Sequence, residues 1–189
     1  MATMDSTEVT VGSAAVTGAI YVAPKGTTLP TDASTSLAAA WKLLGFTSDA
    51  GVHISESSNN TSIVAWEGRT EVYNLRTQYS ESVVFTPIQC NADVAKLTWG
   101  DGNVTVGTGT ILEKHTGKTL DPVCIVIETV PRENIVKRYC GTFQLVERGE
   151  QTMDGTGIDH RQLTFHAIAD ENGVTMYEYT AITASGATA

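Results

Sequence analysis

Glu71-Val72-Tyr73-Asn74-Leu75-Arg76-Thr77-Gln78-Tyr79-Ser80-Glu81-Ser82-Val83-Val84-Phe85-Thr86 alternates in character along its length. Apolar or aromatic side chains stand at Tyr73, Leu75, Tyr79, Val83 and Phe85, and polar ones at Asn74, Arg76, Gln78, Ser80 and Ser82. A period of two puts successive side chains on opposite faces, so the stretch predicts a β-strand with one buried face. At ~3.3 Å per residue it would extend about 50 Å, far beyond the usual five or six residues of a strand. Such a strand belongs to a large sheet or to a protruding hairpin.

Working back from it, the tract Ser57-Ser58-Asn59-Asn60-Thr61-Ser62 predicts an exposed loop. Behind it, Ile63-Val64-Ala65-Trp66 precedes Glu67-Gly68-Arg69. An apolar tetrad on a protrusion calls for a partner. Residues 45–56 read as a strand or hairpin, 33–44 as a short helical segment, and 18–23 as a strand stopped by Pro24. On the other side, Asn91 is an N-cap for a helix over 92–99, with Asp93 in its first turn and Gly100 as the stop. Further strands are predicted at 102–112, 122–130, 134–146, 161–168 and 174–179. The sum is a mostly β fold, an antiparallel sandwich or barrel with one short α-helix, occupying residues 17–180 as one domain. Residues 1–16 and 181–189, rich in Thr, Ser, Ala and Gly, read as terminal arms.

Charge and composition narrow the function. The 189 residues carry 12 Lys plus Arg against 21 Asp plus Glu, a net charge of −9. A protein that binds a nucleic-acid duplex or an acidic membrane surface normally has the opposite sign. Hydrophobic residues at 41% and charged ones at 17% suit a folded core. No run approaches the ~20 apolar residues of a membrane span, and the first residues lack the basic and apolar regions of a signal peptide, so synthesis in a cytoplasm is expected. Cys90, Cys124 and Cys140 are an odd number at wide spacing, which predicts reduced thiols rather than a disulfide framework or metal site.

The sequence holds no strong catalytic signature. It has no HExxH, no paired CxxC, no EF-hand spacing, no GxSxG elbow and no GxxxxGK[ST] loop, so no cofactor or metal is expected. His160 and His166 with Asp159 are the residues from which a hydrolase could be built. A β-sandwich module binding carbohydrate at a phage or bacterial surface is the other alternative.

The order of segments resembles the major tail proteins, or tail tube proteins, of long non-contractile-tailed bacteriophages. Thr17-Gly18-Ala19-Ile20-Tyr21-Val22-Ala23-Pro24 resembles the family's opening. Ala65-Trp66-Glu67-Gly68, the long strand and the helix Asn91-Ala92-Asp93-Val94 follow in family order, and Leu163-Thr164-Phe165 with Tyr177-Glu178-Tyr179 resembles the close. The resemblance implies a virion subunit without catalysis. It implies assembly, commonly in sixfold rings, into a stacked tube with an inner β-barrel, joined to tape-measure and other tail proteins. Viral DNA would pass through without specific binding, and an acidic bore would repel it. On this reading the loop 57–69 makes inter-ring or inter-subunit contacts through Ser57, Asn59, Ile63, Trp66, Glu67 and Arg69. The polar row Asn74, Arg76, Gln78, Ser80 and Ser82 lines the lumen.

Overall fold

The computed structural model describes residues 10–15, 18–132, 134–151, 153, 155 and 159–182. Its strands are β1 Ile20–Pro24, β2 Lys42–Leu43, β3 Thr47–Val64, β4 Glu71–Pro87, β5 Val104–Gly107, β6 Thr110–Glu113, β7 Val123–Arg132, β8 Ile135–Gln151, β9 Arg161–Ile168 and β10 Met176–Ile182. Helix α1, Ala92–Trp99, follows β4. The expected architecture of mostly antiparallel strands with one α-helix is what the chain adopts, every strand pair being antiparallel.

Eight strands form one sheet in the order β2-β1-β7-β8-β9-β4-β3, with β10 added to β8. Strand β8 organises it. Its first half lies between β7 and β10, since Cys140 faces both Val126 and Tyr177, and its second half passes to β9 through Thr142 opposite Ile168. One face of the sheet carries Ile20, Val83, Phe85, Ile125, Ile127, Phe143, Leu145, Leu163 and Phe165, closed over by Leu44 and by Leu97 of α1. The other face of β7 and β8 carries Cys124, Val126 and Cys140 under Trp41. Alternation along two long strands buried on both faces gives the chain its core.

The N-cap of α1 forms as expected. Asn91 Oδ1 accepts the Val94 N–H at 2.8 Å while its Nδ2 donates to the Leu44 carbonyl at 2.9 Å. Gly100 ends the helix at φ 89°, a conformation that favours glycine, with its N–H on the Lys96 carbonyl. Because Asn91 fastens the helix both to itself and to the β2 junction, Asn91→Ala should cost about 1–2 kcal/mol. Thermal unfolding should register this as a fall of roughly 2–4 °C per kcal/mol for a chain of this size.

Two expected elements differ. Residues 33–44 form no helix: Asp32 Oδ1 accepts the N–H groups of Ser34 and Thr35, and Oδ2 accepts the Thr35 hydroxyl. Short polar side chains that bond the local backbone in this way compete with helix. The resulting loop lies over the Trp41 cluster, pinned by Arg138. That guanidinium donates to Glu128 Oε1 at 2.6 and 2.8 Å and to the carbonyls of Asp32 and Thr35 at 2.7 and 2.9 Å. Residues 102–112 are not one strand but the hairpin β5–β6, turning at Gly107-Thr108-Gly109. Of the expected N-terminal arm, residues 10–15 lie beside β7, where the Val130 N–H donates to the Ser13 carbonyl and Ala14 bridges Thr129. Residues 1–9, 16 and 183–189 of the two arms lie outside the described residues, while Ala181 and Ile182 complete β10.

Candidate assembly surface

Strands β3 and β4 pair from Val52 opposite Phe85 out to Val64 opposite Glu71. Strand β9 supports β4 at Ser82–Phe85, the register running from Ser82 opposite His166 to Phe85 opposite Leu163. Beyond Ser82 the two strands continue as a ribbon, roughly 30 Å long at ~3.3 Å per residue. The tract 57–62, expected as a loop, is therefore strand. Its Ser and Asn residues have weak β-propensity, and the tract is strand because it pairs along β4. The loop proper is the turn after Val64, where the Ala65 N–H donates to the Thr70 carbonyl around a 3-10 turn at Glu67–Arg69.

A bulge inverts the ribbon. Asn59 faces Gln78 and Asn60 faces Arg76, so Thr77 is an extra residue on β4, its hydroxyl donating to the Asn59 carbonyl at 3.0 Å. An unpaired residue shifts the phase of alternation by one. Ser55, Ser57, Asn59, Thr61 and Ile63 thus share a face with Ser82, Ser80, Gln78, Leu75 and Tyr73. The reverse face has Ile54, Glu56, Ser58, Asn60 and Ser62 opposite Val83, Glu81, Tyr79, Arg76 and Asn74.

The expected lumen row is accordingly divided: Gln78, Ser80 and Ser82 lie on one face, Asn74 and Arg76 on the other. Side-chain contacts agree. Ser55 and Ser82 hydroxyls bond at 2.9 Å and Asn59 Nδ2 donates to Gln78 Oε1 at 3.1 Å, whereas the Arg76 guanidinium sits 5.1 Å from the Tyr79 ring centre. On that reverse face Glu56 and Glu81 stand directly opposite, a pairing of like charges that is unfavourable by itself. Thr175 donates to Glu81 and Tyr79 to Glu56, which offsets it. Partial burial, with the charges of Glu81 and Glu56, raises the Tyr79 phenol above its ordinary range, so it remains a donor.

Along the ribbon near the sheet the first face is polar and holds no carboxylate, lysine or arginine, carrying Ser55, Ser57, Asn59, Gln78, Ser80 and Ser82; His53 and Val84 follow inward, beside His166 and Thr164 of β9. Toward the tip it turns apolar. Tyr73 and Leu75, expected half-buried, are exposed together with Ile63, and Trp66 at the turn is 93% exposed. Glu67 and Arg69 flank it in the 3-10 turn, both exposed. The sequence missed Tyr73 and Leu75 as surface residues, although the excess length of the strand over any core was the signal for them.

Of the residues from which a hydrolase could be built, His166 lies on β9 and Asp159 and His160 just before it. Asp159 accepts from Gln151 Nε2, and His166 stands opposite Ser82 and Gln144 on β9. Among the described residues no three His, Cys, Asp or Glu side chains group to hold a metal, and no helix is long and apolar enough to cross a membrane.

A family model described as phage tail tube protein matches residues 2–187. The chain belongs to the phage tail tube proteins. No curated protein matches it. Two solved structures are similar to this tail tube chain at low identity. One is the tail of an empty gene transfer agent particle determined with C6 symmetry, at 11% identity over 88% of this chain and 95% of that one, TM-score 0.44. The other is the virion of a native gene transfer agent particle, at 11% identity over 78% and 92%, TM-score 0.40.

Proposed function

We propose that copies of this chain join side by side into rings, sixfold as the resemblance implies, and that the rings stack into the tube through which viral DNA leaves the virion. The subunit is structural and performs no catalytic step. Made in the host bacterial cytoplasm, it meets tape-measure and other tail proteins as the tail is built. The observation that carries this reading is the unsupported ribbon. A two-stranded hairpin is marginal in water by itself. Beyond Ser82 both of its outer edges lack a partner strand among the described residues. Pairing the β3 edge of one copy with the β4 edge of the next satisfies both rows of amides and closes into a barrel without free edges.

The uncharged face formed by Ser55, Ser57, Asn59, Gln78, Ser80 and Ser82 is the one suited to the bore. This replaces repulsion by a net acidic wall with a different means of free passage. A neutral polar wall offers DNA no cation to hold it, and Arg76, on the reverse face, is removed from the path. Screening over about 8 Å at physiological salt leaves the passing phosphates sensitive mainly to groups on the wall itself.

Negative-stain microscopy of the concentrated protein tests the reading. Hollow tubes are expected; a permanently monomeric protein with saturable glycan binding would overturn it in favour of the surface-binding module. For the bore, Ser57→Lys with Ser80→Lys should leave tubes intact but slow DNA ejection, most at low salt. Wild-type ejection at every salt concentration would remove this face from the lumen.

A further inference from the structure

An apolar groove opens at the base of the ribbon. It has a volume of about 740 Å³ between residues 10–15, the β2–β3 junction, the start of β3, the end of β7 and the start of β8. Ala14, Leu43, Phe46, Val52, Ile127 and Tyr139 give it an apolar lining, and Phe46 is left 72% exposed. At the far end of the same ribbon stands Trp66, more exposed than any other large apolar side chain among the described residues, beside half-exposed Ile63 and Val64.

We propose that Trp66 of one copy seats in this groove on a copy in the adjoining ring. The inference rests on the ring-and-stack reading and names the receiving site. Trp66 cannot reach the groove of its own copy, because the strand running from Val52 in the groove wall to Val64 at the tip spans about 40 Å at ~3.3 Å per residue. Knob and hole at opposite ends of one molecule make a head-to-tail contact, which repeats along a line where its rotation does not close into a ring. Size gives the contact its character. An indole buries roughly 150–250 Å². With its aliphatic neighbours it reaches about half of the ~800 Å² per partner of a stable pair. Two free copies therefore do not dimerise through it. A ring presents one knob per copy at once, and the second and later insertions become intramolecular. Stacking is then cooperative, with rings adding as units.

Thiol cross-linking tests the pairing without touching Trp66. Exposed Cys90 is first replaced by Ser, leaving buried Cys124 and Cys140. Glu67→Cys beside the knob and Ser48→Cys in the groove wall are then introduced together. Oxidation of assembled tubes should give a ladder of covalent multimers on a denaturing gel, while tubes carrying either new cysteine alone give none. In parallel, Trp66→Ala should keep the wild-type circular dichroism and raise the concentration needed for tubes at least tenfold. Tubes that form with both thiols open to maleimide yet yield no ladder would overturn the groove assignment and leave the tube reading standing. A wild-type protein that never forms tubes would remove both.

Discussion

Arg138→Ala is expected to destabilise the protein by about 3–5 kcal/mol, the range for breaking a buried ion pair from one side. The side chain is 5% exposed and makes four donor contacts, to Glu128 and to the carbonyls of Asp32 and Thr35. Its loss leaves a largely buried carboxylate without a counter-charge and two carbonyls without donors. Urea unfolding measures the loss; a shift below about 1 kcal/mol would show that the loop over Trp41 does not depend on this residue. The same variant has a chemical signature. In the wild type, burial pushes the Cys140 thiol up to about 11, and its Sγ lies on the Pro30 carbonyl beneath the loop. A thiol reagent should label Cys90 alone in the native protein and all three cysteines once Arg138 is gone.

Acid should loosen the same loop. The N–H and hydroxyl of Thr35, then the N–H of Ser34, hold the Asp32 carboxyl well below the usual carboxylate range. A depressed folded value means the stabilisation is complete above the ordinary carboxylate pKa of about 4 and is lost as pH falls through the folded one. With a pyridyl disulfide reagent that still reacts in acid, labelling of Cys124 and Cys140 relative to exposed Cys90 should therefore rise as pH falls below about 4. Asp32→Asn should flatten that dependence.

Phe165→Ala is the second large effect, at about 3–5 kcal/mol. Its ring stacks on Phe85 with centroids 5.3 Å apart, and both rings are almost wholly buried where β9 meets β4. The melting temperature should fall by roughly 10 °C or more. Leu75→Ala, ten residues before Phe85 on the same alternating strand, offers the contrast. As an exposed residue it should change monomer stability by no more than about 0.5 kcal/mol. Equal losses at the two positions would mean that the distal ribbon is packed in the isolated subunit.

The parts of the fold legible in the sequence are those decided by short-range chemistry. Asn91 and Gly100 mark α1 because caps act within four residues. Alternation marks the strands because burial selects every second side chain. What escaped depends on partners distant in sequence. The tract 57–62 looks like a loop until β4 is placed beside it. The face assignment past Thr77 fails because a bulge is a property of two strands, and no count along one of them finds it. Residues 33–44 look helical by composition, but the nearby Asp32 turn and Arg138, over a hundred residues away, decide otherwise. Trp66 stands out in the sequence because an apolar tetrad in polar surroundings is anomalous on local grounds, and it is indeed exposed; the groove proposed to receive it, lined from separate parts of the chain, leaves no such local mark.

The open edges of the ribbon also govern how the protein must be produced. Each new chain enters solution with amides that any extended peptide can bond. Wrong pairing is a bimolecular event, so its rate rises with the square of the concentration of unassembled copies. Slow synthesis at low temperature, or a supply of growing tube ends that removes copies as they appear, should raise the yield of soluble protein more than any gain in intrinsic stability. The same amount of chain made in a burst should end in inclusion bodies.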